Sequence, residues 1–296
     1  MTRASWEGAK ICYFQRSYES PALFVLFSLI FGDGESLKEN AFAAGVTEVE
    51  WKQMCVYVAA VFQNCGNFSS FGDTKFVPEL APAKFTTIVK ASKAYQTHAS
   101  VIDDILARTE REIYLEEEPL KHIAFPDKNG QTSYYSSNCT SQDATYIDDF
   151  CQKNKISPLN TRLFKSQDGK RYNLRVCSKY ADAEKTPYLK AYELEDGVTV
   201  DVTAADFNTF MDRVVENLEQ AEYYTSGENQ KQMIADYVEH FKYGDMEKHK
   251  DSQRRWIKDV GPVVETNIGF IETYLDPSGA RAEFEGFVSI VDKQVS

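Results

Sequence analysis

The chain has 296 residues, 43% hydrophobic, 26% charged and 13% aromatic, long enough to bury a core without disulfide or metal staples and too apolar for a disordered chain. Its net charge of -12 excludes binding that rests mainly on phosphates, which needs a basic face to release counterions, so neither nucleic acid nor an anionic membrane is an expected partner. Six cysteines, at 12, 55, 65, 139, 151 and 177, include no Cys-x-x-Cys pair; zinc-ribbon and thioredoxin-type motifs are left out, and the thiols read as reduced, mostly buried and cytoplasmic.

The first part is helical by pattern. Pro21 to Phe31 is nearly all apolar yet far shorter than the roughly 20 residues of a bilayer span, so it reads as a buried core helix, with Ser20 as N-cap and Gly32 as its stop. Thr47 and Glu50 form a capping box ahead of Trp51, Met54, Cys55, Val58 and Phe62 at helical spacing. Two more helices are expected, one after Pro82 with Phe85, Ile88 and Val89, and one around Val101, Ile102, Ile105 and Leu106. No signal-peptide pattern precedes the sequons at Asn67 and Asn138, which would matter only on a secreted protein.

From about Gly130 the period changes. A short helix around Ile147, Phe150 and Cys151 is followed by a strand at Arg162 to Ser166, an Asp168-Gly169 turn, and alternating Tyr172, Leu174 and Val176. A second Asp-Gly, Asp196-Gly197, joins a strand ending at Leu194 to one carrying Val198, Val200 and Val202. Four strands in this order predict a small antiparallel meander or β-barrel with surrounding helices. Thr203 with Asp206 is the expected cap of a helix bearing Phe207, Phe210, Met211, Val214 and Leu218, and Met233, Ile234, Tyr237, Val238 and Phe241 mark another that ends at Gly244. Alternation resumes at Phe284, Gly286, Val288 and Ile290, and the chain stops at Ser296 without an expected partner strand, as a cut polypeptide would. The fold class is α+β, with a helical segment over 1–125 and a β-barrel-like segment with packed helices over 126–296, both parts of one lobe that is incomplete at its carboxyl end.

Few residues carry chemistry. A hydrolytic zinc needs three protein ligands, usually two histidines one helical turn apart. Histidines 98, 122, 240 and 249 contain no His-x-x-x-His, and they read as surface or helix-end residues. Serine-nucleophile, phosphate-loop and dinucleotide motifs are absent. The acids at 103–104, 116–118 and 148–149 read as solvated helix faces. Glu265, Glu272, Glu283 and Glu285 are different, because they lie in apolar, strand-like stretches where each carboxylate must reach water, a cation or a ligand.

Two long strings carry a resemblance: Asn67 to Pro78 (NFSSFGDTKFVP) and Gly261 to Pro277 (GPVVETNIGFIETYLDP). With Asn138-Cys139-Thr140, Asn160 to Phe164 and Arg281 to Phe287, they make the chain resemble dipeptidyl peptidase III, a family of zinc-dependent exopeptidases that release dipeptides from the amino end of oligopeptides. The resemblance runs through essentially the whole chain. It implies two lobes with a cleft between them, with zinc held by a His-Glu-x-x-Gly-His-type helix and a later Glu-Glu-x-x-Ala/Arg-Glu stretch. Neither stands in this sequence, which matches most of the lower lobe; zinc therefore belongs to the full-length enzyme, and this chain is expected to hold none.

The resemblance further implies that Glu265 accepts the ammonium of the peptide's first residue, that Asn267 helps to hold it, and that Ser70 and Phe71 line the cleft near the same end. Some relatives have tyrosine at the position of Asn267. No residue of this chain is expected to be catalytic. The expected partners are oligopeptides with a free amino terminus and the remainder of the same polypeptide, and the chain alone is expected to be inactive. The alternatives are a naturally short, non-catalytic peptide- or protein-binding paralogue, and an enzyme using Cys65 or another thiol.

Overall fold

In the computed structural model, which describes residues 1–33, 36–194, 197–292 and 294–295, the chain forms two compact units. One is Tyr13–Ser133, and the other joins Met1–Cys12 to Tyr134–Ser296. The first twelve residues thus group with the later part, a long-range association that periodicity along the chain does not encode.

Helix α1 (Thr2–Arg16) crosses from one unit into the other, and α2 (Ser20–Ile30), α3 (Ser36–Ala43), α4 (Glu48–Gln63), α5 (Pro82–Lys90) and α6 (Lys93–Tyr114) belong to the first. The apolar run of α2 buries Leu23, Leu26, Phe27 and Ile30, the spacing of one helical face, within a core shared with Met54, Tyr57, Val58 and Val61 of α4 and Ile102, Ile105 and Leu106 of α6. The α4 capping box is formed: Thr47 N donates to Glu50 Oε2 at 2.7 Å, and Glu50 N to Thr47 Oγ1 at 3.3 Å. Helix α2 is capped differently from expectation. Glu19 is its N-cap residue, and the Ser20 hydroxyl lies inside the helix, where it donates to Asn67 Oδ1 at 3.0 Å.

The second unit carries α7 (Ser141–Asn154), strands β1 (Thr161–Lys165), β2 (Arg171–Cys177), β3 (Ala191–Glu193) and β4 (Thr199–Asp206), helices α8 (Asn208–Glu222), α9 (Glu228–Tyr243) and α10 (Met246–Trp256), and strands β5 (Val264–Phe270) and β6 (Phe284–Ile290). The β1–β2 hairpin across Asp168-Gly169 is antiparallel, as the turn predicts, pairing Leu163 with Leu174. The expected antiparallel meander or barrel is not formed. The sheet order is β1-β2-β4-β3, with β2 and β4 parallel and β3 and β4 antiparallel. The cause is the segment between Cys177 and Ala191, long enough to carry the chain past β2's neighbouring position, so that β4 fills it running the same way. Asp196, half of the second predicted turn, lies outside the described residues.

Two further expectations are corrected here. Thr203 and Asp206 do not cap α8, because they belong to β4, where Asp206 takes a two-point bond from Arg162 at 2.7 Å on each oxygen; α8 follows a left-handed Phe207 with no side-chain cap. The 284–290 segment does have a partner strand: β5 and β6 form a separate antiparallel ribbon pairing Glu265 with Ser289 and Asn267 with Phe287. The amino end of α1 packs on it, with Cys12 Sγ donating to Phe284 O at 3.0 Å and a Cβ on Gly8 meeting the Phe284 ring at 1.9 Å.

The chain between β5 and β6 is fixed by a buried cation. Asp276 accepts from the backbone N–H of Ser278 (3.0 Å), Ala280 (2.9 Å) and Arg281 (2.6 Å) and from Tyr135 Oη (2.7 Å). The Arg281 guanidinium, fully buried, donates to Tyr135 Oη at 2.8 Å and to Asp148 Oδ1 at 3.1 Å. Asp148 is therefore not a solvated helix-face acid. Removing one member of a buried ion group strands the others in low dielectric, at a cost of about 3–5 kcal/mol. Arg281→Leu is expected to lower stability by roughly that amount, measured by urea unfolding; a loss under about 1 kcal/mol would mean that the group is as weak as a surface ion pair.

Candidate functional site

Strand β5 places Glu265, Asn267 and Gly269 on one face by simple alternation, and α10 meets that face with a helical stripe of Trp256, Gln253 and His249. The match is residue by residue and runs antiparallel. The Trp256 indole N–H donates to Glu265 Oε1, Gln253 Nε2 donates to Asn267 Oδ1 at 3.1 Å and its Oε1 accepts from Asn267 Nδ2 at 2.9 Å, and a Cβ on Gly269 would come within 2.4 Å of His249 Cε1. The sequence did not reveal α10, because its inward stripe consists of residues with polar groups rather than aliphatic ones.

Glu265 is half-buried, and no ion pair to it is formed among the described residues. With one oxygen held by the indole, the other retains its lone pairs. Asn267 is placed differently. It is buried, and its Oδ1 also accepts from Tyr237 Oη of α9 at 3.3 Å, so both lone pairs of the amide oxygen are in use.

Ser70 and Phe71 belong to the other unit. Their loop is held by Asn67, a fully buried residue whose Oδ1 accepts from Ser17 Oγ (2.8 Å) and Ser20 Oγ (3.0 Å) and whose Nδ2 donates to Glu19 Oε1 at 2.8 Å. Glu19 in turn pairs with the buried Lys75 at 3.1 Å. Gly66, at φ +143, permits the close approach, since a Cβ there would stand 2.3 Å from Ser20 Oγ. On this support Ser70 N donates to Asn64 Oδ1 at 2.9 Å, and Phe71 is 84% exposed. The loop is held in shape by these buried bonds.

The other acids of the ribbon gather at one end of it. Glu272 N donates to Glu285 Oε1 at 3.1 Å, and Glu283 N donates to Glu272 O at 2.8 Å. Burial, and then the Glu272 charge, push the Glu285 carboxyl up, and the exposed Tyr274 phenol is pushed up chiefly by Glu272, with Glu285 and Glu283 adding to it. Negative charge thus accumulates here as well as at Glu265.

Of the expectation of surface or helix-end histidines, the helix end holds for His240, in the last turn of α9, but neither histidine of the second unit is a surface residue. His240 and His249 are buried with ring centroids 5.2 Å apart; His240 Nδ1 lies 3.0 Å from Asp245 O, while His240 Nε2 and His249 Nδ1 have no hydrogen-bond partner. Burial, with mutual repulsion as a second cause, pulls His240 down to about 3, and burial pulls His249 down to about 4. Both imidazoles are neutral, fitted between α9, α10 and β5. Among the described residues no group of three His, Cys, Asp or Glu could hold a metal ion, so these residues do not fit the zinc that the resemblance implies. No helix among them is long and apolar enough to cross a membrane.

Comparison with known proteins gives the family of the chain. The model of peptidase family M49 matches residues 105–296, more than half of the chain, which therefore belongs to that family. Dipeptidyl peptidase 3 of Nematostella vectensis is 44% identical over 310 residues, covering 99% of this chain and 42% of that protein. Dipeptidyl peptidase 3 of Homo sapiens is 40% identical over 306 residues, covering 100% of this chain and 41% of that protein. The chain spans about two fifths of the length of these relatives. A structure of DPP III from Caldithrix abyssi aligns with a TM-score of 0.47 at 11% identity, covering 100% of this chain and 41% of that one, a likeness too slight to carry an argument.

The histidine pair gives a signed pH dependence. Both folded-state values lie below the ordinary 6.5, so below pH 6.5 the unfolded chain binds more protons, and stability that is full above 6.5 is lost as pH falls toward 4 and 3. Each group contributes a slope of up to about 1.4 kcal/mol per pH unit in that window. Burial raises Glu285 and Asp148, which act in the opposite sense. Subtracting the urea-midpoint profile of His240→Phe from that of wild type between pH 7 and 4.5 isolates the effect. The difference is expected to shrink with acid, and a constant difference would show that His240 binds protons alike in the folded and unfolded chain, so that burial does not depress it.

Proposed function

We propose that this chain is the peptide-docking lobe of a dipeptidyl-peptidase-type enzyme, with the metal and the cutting groups supplied by polypeptide outside it. The observation that carries the reading is Glu265: a half-buried carboxylate, oriented by the Trp256 indole, with no lysine or arginine to neutralise it among the described residues. A dipeptide cutter must hold the free amine two residues, roughly 7 Å, from the bond it breaks. A carboxylate at that distance works as a ruler, because it forms a charge-assisted bond with an ammonium in one register and leaves longer registers unpaired. In the other unit, Ser70 and Phe71 would offer a peptide a polar contact and an apolar wall of their own. Zinc takes no part in this chain's own role, which is to bind and orient.

A second reading has its own support. Burial and then the Glu272 charge push the Glu285 carboxyl up, and an ammonium there would offset the crowded negative charge, so Glu272 is the rival acceptor. The two are separated by calorimetry with tetra-alanine and N-acetyl-tetra-alanine. The chain is expected to prefer the free amine by about tenfold or more and to lose the preference in Glu265→Gln but keep it in Glu272→Gln; the reverse pattern moves the site to the ribbon end. No release of dipeptidyl-naphthylamide is expected from the pure chain, with or without zinc. Turnover would overturn the docking-lobe reading.

A further inference from the structure

We infer that Gln253 is a positioning residue for the amine site and that Asn267, through which it acts, is a strand-to-helix clamp rather than a ligand of the peptide. The inference rests on the reading of Glu265 as the amine acceptor. An ammonium offers only N–H donors, so any group that holds it must supply free acceptor lone pairs. Asn267 has one acceptor atom, Oδ1, and it is already engaged by Gln253 Nε2 at 3.1 Å and Tyr237 Oη at 3.3 Å. Its Nδ2 is committed to Gln253 Oε1 at 2.9 Å. Two amides joined at both ends in this way fix each other, because neither turns over without breaking both bonds.

The clamp reaches Glu265 through the backbone. Glu265 and Asn267 are two apart on β5 and share a face; Trp256 and Gln253 are three apart on α10 and share a face. Tying Asn267 to Gln253 therefore sets the height and rotation of the strand at which Glu265 meets Trp256. Gln253 is fixed in turn, since its Nε2 also reaches Tyr237 Oη at 3.2 Å and Ser252 Oγ at 3.4 Å, so three elements converge on one amide pair. On this face of β5 the charged amine is then met by Glu265 and not by Asn267, whose amide is spent on Gln253 and Tyr237.

The test uses the whole 296-residue chain labelled with ¹⁵N in its indoles, the Trp256 resonance being assigned with Trp256→Phe. Gln253→Leu and Asn267→Ala are both expected to move that resonance toward the position of a water-exposed indole and to cut the preference for tetra-alanine over its N-acetyl form about tenfold. Gln253→Glu keeps an acceptor for Asn267 Nδ2 and is expected to restore much of both. Tyr237→Phe, which removes one hydroxyl, serves as the milder variant should either larger change unfold the chain, and it is expected to move the resonance in the same direction. The inference is overturned if the indole resonance stays put in these variants, or if Asn267→Ala lowers the preference for the free amine with the resonance unmoved, which would make Asn267 a direct ligand. The indole measurement needs no peptide; a wild-type chain without preference for the free amine would overturn the proposed function while leaving the clamp to be decided by the resonance.

Discussion

A strand that presents a carboxylate and an amide on one partly buried face must have each of those groups met, and α10 meets them in register. Trp256 takes Glu265, Gln253 takes Asn267, and His249 closes over the bare backbone of Gly269. The cost of leaving polar groups dry in the interior makes this match compulsory rather than decorative. It fixes the rotation of β5, and with that the direction in which the one unneutralised charge of the face is offered.

The remainder of the second unit supports that strand from behind and at its end. The buried His240–His249 pair fills the space between α9, α10 and β5 without charge, and the Arg281 group with Asp276, Asp148 and Tyr135 sets where the chain turns back from β5 toward β6. In the first unit the same principle recurs at smaller scale: a single buried asparagine, Asn67, gathers the hydroxyls of Ser17 and Ser20 and the carboxylate of Glu19, so that the loop carrying Ser70 and Phe71 is ordered by its own interior. In both places a buried polar network orders the backbone behind the candidate residues, an arrangement that lowers the entropy a binding site loses when it is occupied.

Much of the local structure was legible in the sequence because its signals are local. The Thr47–Glu50 box, the proline at the start of α5, the Asp168-Gly169 turn and the glycine at the end of α9 each act within a few residues, and each element stands where its signal put it. What was not legible depends on distant partners. The parallel β2–β4 pairing follows from a connection whose path no turn residue announces, and α10 escaped notice because its buried stripe is an imidazole, an amide and an indole, which count as polar or neutral until β5 is seen to receive them. The histidines were misplaced for the same reason, since nothing adjacent to His240 or His249 in the chain foretells that their rings meet. As for the site, the family strings drew attention to Glu265 and Asn267 together, and only the hydrogen bonds separate a carboxylate with an oxygen to spare from an amide whose oxygen is spent.

The carboxyl carbon of Glu265 is the most direct witness. In a chain labelled with ¹³C at glutamate side-chain carboxyls, with the resonance assigned through Glu265→Gln, titration with a free-amine tetrapeptide is predicted to shift that signal, and the N-acetylated peptide is predicted to leave it in place. A shift at Glu272 or Glu285 with Glu265 silent, or equal responses to the two peptides, would contradict the account.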